Sequence, residues 1–132
     1  MTDIYEFNPQ IYPLRIWVTK KPSIEALKKR FDVLDDDNVT ALPFEDDTIK
    51  PYWGAARITV IDKQNNHTGC LIVIMVPQKC SVGVVAHEAS HAYDDFIGLL
   101  NLPATGECRA YLTEWIADRI WEVKTGKVNK LL

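Results

Sequence analysis

Residues 70–76 read Cys-Leu-Ile-Val-Ile-Met-Val and are apolar throughout. A short run of this kind, rich in β-branched side chains, predicts a strand, and one without polar alternation is expected to be buried on both faces. Residues 55–62 (Ala-Ala-Arg-Ile-Thr-Val-Ile-Asp) predict a second strand just before it. Between the two, Lys63 to Gly69 contains Asn65, Asn66 and Gly69, residues suited to a hairpin loop. His67 falls in that loop and is expected to be exposed.

Other elements gather around this hairpin. Residues 14–19 (Leu-Arg-Ile-Trp-Val-Thr) predict a strand. Pro22 and Ser23 open a helix whose Ile24, Leu27 and Phe31 make one apolar stripe. Residues 32–53 read as one long acidic loop, with seven acidic residues plus Pro43 and Pro51. Asp36, Asn38, Thr40 and Asp47 occupy positions one, three, five and twelve of an EF-hand loop, but position six is Ala41 instead of Gly. A solvated acidic loop is therefore the better reading than a calcium site. A helix is expected over residues 81–100, ended by Gly98 and Pro103. Thr105 can cap a last helix that runs to about Lys124, with Gly126 beyond it. The order predicts a single α+β domain over residues 1–132: a small, mainly antiparallel sheet packed against the helix at 81–100 and a C-terminal helix.

Composition bounds the function. The net charge of −3 gives no electrostatic case for nucleic acid or an anionic membrane. Leu71 to Val76 is far too short to span a bilayer, and Asp3, Glu6, Asn8 and Pro9 are unlike a signal peptide. The three cysteines, Cys70, Cys80 and Cys108, have no C-x-x-C spacing and read as reduced thiols of a cytoplasmic protein.

The chemistry is concentrated in His87-Glu88-Ala89-Ser90-His91. On a helix, positions i and i+4 share one face, so two imidazoles can reach one metal ion. Glu88 then stands close to a water on that ion and can take its proton. Zinc in a catalytic site usually has three protein ligands and one open position. Asp94 and Asp95 lie about 10–12 Å along the helix axis from His87, too far to close such a site. Glu107, sixteen positions after His91 at the start of the last helix, is the favoured third ligand; Glu114, two turns later, is its rival. Acids also suit the first turn of a helix for electrostatic reasons alone.

The motif resembles that of the zincin metallopeptidases. The block Glu107-Cys108-Arg109-Ala110-Tyr111-Leu112-Thr113-Glu114-Trp115-Ile116 is similar to the downstream Glu-containing helix of gluzincins. The compact layout resembles minigluzincins and short metallopeptidases of phages and prophages, over roughly residues 53–122. The resemblance implies zinc ligands at His87, His91 and Glu107 and a general base at Glu88. Metzincins are excluded, because Asp94 and Ile97 stand where that subclass has Gly and His. Tyr111 stands where some gluzincins carry an Asp after the ligand Glu.

Peptide hydrolysis also needs a donor for the developing oxyanion. Tyr111, one turn after Glu107, is the first candidate, with Tyr93 and Arg109 behind it. Cys108 is a weaker metal candidate, and Trp115 and Trp121 are expected in the core. The expected function is zinc-dependent cleavage of a peptide or protein substrate. The alternative is a catalytically silent zinc-binding interaction or regulatory module of mobile-element origin.

Overall fold

The computed structural model describes residues 3–10, 12–35, 38–41, 54–100 and 107–128; the side chains of residues 35, 38–41, 107 and 108 are not among those described. Six strands form one sheet in the order β1 (Ile4–Phe7), β2 (Arg15–Lys20), β6 (His67–Ile74), β5 (Ala56–Asp62), β3 (Phe31–Asp35), β4 (Asn38–Ala41). All neighbours are antiparallel except β2 and β6, which are parallel. Among the described residues three α-helices accompany the sheet: α1 (Ile24–Arg30), α2 (Val82–Leu100) and α3 (Glu107–Thr125). The α+β class and the mainly antiparallel sheet are as the sequence predicts.

Strand alternation sends neighbouring side chains into different cores. Trp17, Ile58, Val60, Leu71 and Val73 pack with Leu27 of α1 and with Phe31. Ile16, Val18, Cys70, Ile72 and Ile74 face the other way, against α2 and α3. Strand β6 feeds both cores, which is why its sequence shows no polar alternation. Leu71 and Ile72 are both fully buried, in opposite cores, and each burial is worth about 1.5–3 kcal/mol.

The long acidic loop expected over 32–53 is corrected in part. Phe31 begins β3 instead of ending α1, and β3 pairs with both β5 and β4. Valine at 33 and 39 supplies the β-propensity that the flanking aspartates obscure. Asn38 and Thr40 therefore lie in a strand paired with β3, instead of in the tight turn that brings the first ligands of an EF-hand loop around an ion; Asp36 and Asp47 fall outside the described residues. The hairpin loop is shorter than expected. His67 already belongs to β6, opposite Asp62, and is half-buried with its Nδ1 unpartnered. Strand β1, four residues long, carries too little pattern to stand out from the sequence.

The helix ends follow local chemistry. Ser23 caps α1 by accepting a hydrogen bond from the Ala26 amide. Leu112, Ile116, Ile120 and Val123 give α3 a buried stripe. At its end Gly126 takes φ +74°, its amide donates to Val123 O and the Lys127 amide donates to Glu122 O, a Schellman closure. Thr105, expected to cap α3, lies outside the described residues. Trp115 packs edge-on to Phe7, whereas Trp121 is 39% exposed under the Lys124 ammonium instead of in the core.

Candidate metal centre

Helix α2 starts directly after the 3-10 turn Pro77–Lys79 that follows β6. Ser81 caps it: its hydroxyl accepts from the Val84 amide and its carbonyl from the Val85 amide. The helix buries Val85, Glu88, Ala89, Ala92, Tyr93 and Phe96. In that apolar stripe Glu88 is the one charged side chain. The alanines at 89 and 92 let the helix lie close to its neighbours.

His87 is exposed and His91 half-buried, and their rings converge. The two Nε2 atoms are 3.2 Å apart and the ring centroids 4.5 Å apart, at 77° to each other. Two imidazole nitrogens on one tetrahedral zinc, each at ~2.0–2.1 Å, stand about 3.3 Å from one another. That separation is the one that two ligands of a single small divalent cation would take. With one of those nitrogens protonated, the same separation is a hydrogen bond.

Glu88 is only 8% exposed, and no described residue donates a hydrogen bond to it. Burial pushes its carboxyl above the ordinary glutamate range; His87, Arg57 and His91 pull it back, and Asp95 adds to the rise. Its opening to solvent is a cleft of about 470 Å³ lined by Gly54, Ala55, Ser81, Gly83, Val84, His87 and Glu88. Gly54 makes the wall of that cleft close. A Cβ there would stand 2.7 Å from Lys79 O, so only glycine lets the approach to β5 lie against the turn before α2.

The residues expected from α3 are placed less favourably. Glu107 is the first residue of α3, and its side chain, like that of Cys108, lies outside those described. Glu114 and Asp118 are exposed, and Tyr111 is 68% exposed, opposite the buried stripe of α3. Tyr111 is not among the residues that line the cleft. Tyr93 is fully buried beneath the Arg109 guanidinium, which also faces Asp94 at 3.8 Å. Among the described residues, no group of three metal-ligating side chains forms.

The structure adds Arg57, which the sequence does not single out, and gives Asp95 a partner. Arg57 Nη1 donates to Asp95 Oδ2 at 2.7 Å, joining β5 to α2 beside Glu88. The Cys70 thiol donates to the same oxygen at 3.7 Å. Burial raises the Asp95 carboxyl, against the pull of Arg57, Cys70 and Thr59. Burial and the neighbouring Asp95 charge push the Cys70 thiol well up, which keeps it protonated and unreactive. The only hint in the sequence was alternation: Arg57 stands between Ala56 and Ile58, on the opposite face of β5.

No protein-family model, no curated protein and no solved structure matches this chain.

Proposed function

We propose that this chain is a zinc-dependent metallopeptidase of minimal zincin type that acts on peptide or protein substrates. One observation carries the reading: two imidazole nitrogens 3.2 Å apart on α2, with a buried carboxylate next to the first of them to which no described residue donates a hydrogen bond. His87 and His91 would hold the ion, and Glu107 is the proposed third ligand. Zinc bound there would supply Lewis acidity, polarising a peptide carbonyl and making a water acidic near pH 7.

The protein's own part is proton handling and positioning. Glu88 takes the proton of the attacking water, and its desolvated carboxylate is the stronger base for being buried. The same carboxyl then delivers that proton to the leaving amine. The cap at Ser81 and the Gly54 contact hold the start of α2 against β5, which fixes the cleft around these groups. Among the described residues no strand pairs with the β3 side of β5 from Ala56 to Thr59, and an extended peptide can add there as a further strand.

The described helices include none long and apolar enough to cross a membrane. Cys70 and Cys80 are free thiols, which supports placing the protein in the reducing cytoplasm. The test is cleavage of a denatured protein mixture by the zinc-loaded wild type and by Glu88→Gln. Cleavage by the wild type alone supports the reading. Full zinc occupancy with no cleavage by either points instead to a zinc-holding interaction or regulatory module.

A further inference from the structure

Apart from Asp62 at its end, strand β5 carries its polar side chains on the α2 side. Ala56, Ile58 and Val60 enter the α1-side core, so Arg57 and Thr59 face the other way. The approach to the strand, Gly54 and Ala55, lines the cleft with His87 and Glu88. Two residues beyond Arg57, Thr59 pairs with Cys70, and both side chains bond Asp95. Strand and helix thus run in the same direction, with Arg57 bonded to Asp95 and close enough to Glu88 to act on its charge. Those two carboxylates are seven residues apart on nearly one helix face, roughly 10 Å along the axis.

Arg57 does not look like a packing residue. An ion pair half-buried between helix and sheet gives up hydration that an apolar pair would not need to give up. Its side chain stays 27% exposed, and Asp95 takes one of its nitrogens, Nη1. A guanidinium fixed at one end by a carboxylate is held ready to donate at the other, in a fork suited to an oxygen anion. Arg57 is also among the charges that act on Glu88. Of the donors that the sequence suggested, Tyr111 is 68% exposed and off the buried stripe of α3, and Arg109 lies over the buried Tyr93.

We propose that Arg57, held in place by Asp95, is the donor that binds the substrate's carbonyl oxygen as negative charge develops on it. Arg57 is then a catalytic residue and Asp95 a positioning residue. The proposal rests on the metallopeptidase reading above and adds the group that stabilises the oxyanion.

The experiment uses methylphosphonate, a tetrahedral oxyanion, titrated calorimetrically into the zinc-loaded protein, with zinc affinity measured separately by chelator competition. Arg57→Gln is expected to weaken methylphosphonate by about tenfold or more at unchanged zinc affinity, the scale of one charge-assisted bond. Arg57→Lys keeps the charge without the fork and recovers part of the loss. Asp95→Asn keeps the guanidinium but frees it, and falls between wild type and Arg57→Gln. Equal methylphosphonate affinity in wild type and Arg57→Gln overturns the proposal. So does a loss that Arg57→Lys leaves unrepaired, or one that zinc affinity follows in parallel. A wild type that takes up no zinc overturns the metallopeptidase reading itself, and this proposal with it.

Discussion

Among the described residues two carboxylates are buried, and their surroundings could hardly differ more. Asp62, at the end of β5, is fully buried and bonded on all sides: it accepts from the Gln64 amide, from Asn65 Nδ2 and from Arg30 Nη2. Arg30 is held in turn by Glu6, which also accepts from the Trp17 indole. Glu88, in the middle of an apolar helix stripe, has none of this among the described residues. A carboxylate that closes a turn is saturated with donors, because an unsatisfied buried charge costs several kcal/mol. One left unsaturated and open to a cleft is kept at a cost to stability, the pattern expected where it has a proton to carry.

The largest effect that tests this contrast is at the saturated site. Asp62→Ala leaves the Arg30 guanidinium behind with its Nε already unpartnered, and is expected to cost about 3–5 kcal/mol in urea unfolding. A cost under about 1 kcal/mol would mean that the network is ornamental. Glu88→Gln is expected to act in the opposite sense on the metal-free protein, raising stability by about 1 kcal/mol because a desolvated charge is removed. If Glu88→Gln destabilises as strongly as Asp62→Ala does, the two carboxylates are alike and the contrast fails.

Asp95 gives the smallest and subtlest test. Burial, more than any other influence, holds its carboxyl above the ordinary aspartate range, and Arg57 pulls it only part of the way back. The folded chain therefore binds this proton more tightly than the unfolded chain. That contribution favours the folded state below the ordinary aspartate range and is lost as pH rises through the raised value. Wild type should hold its largest stability advantage over Asp95→Asn at the acidic end, and the advantage should shrink toward neutral pH. An advantage that grows with pH would show that the Arg57 pair outweighs burial.

How legible each part was in the sequence follows the strength of its local signal. The strands expected at 55–62 and 70–76 and the helix α2 stood out, because their apolar patterns are long and agree with their flanking turn and cap residues, although β6 begins earlier, at His67. Strands β3 and β4 did not, because Asp32, Asp35 and Asn38 beside Val33 and Val39 break up the apolar pattern. The parallel pairing of β2 with β6 is a long-range choice that no local pattern encodes. In the site, His87, Glu88 and His91 were legible because helical spacing alone brings them together. Arg57 was not, since a lone arginine in a strand reads as a solvated side chain until the helix that covers it is placed. Tyr111 misled for the converse reason: one turn of spacing puts it near Glu107 in sequence but does not say which way that side of α3 faces.

The central claim is that the two imidazoles of α2 are metal ligands, and the most direct test is the zinc content of the purified protein beside His87→Ala and His91→Ala. The account predicts one zinc per wild-type chain and almost none in either variant, with the fold retained in all three. Equal zinc in the three proteins, or none in a folded wild type supplied with zinc, would contradict it.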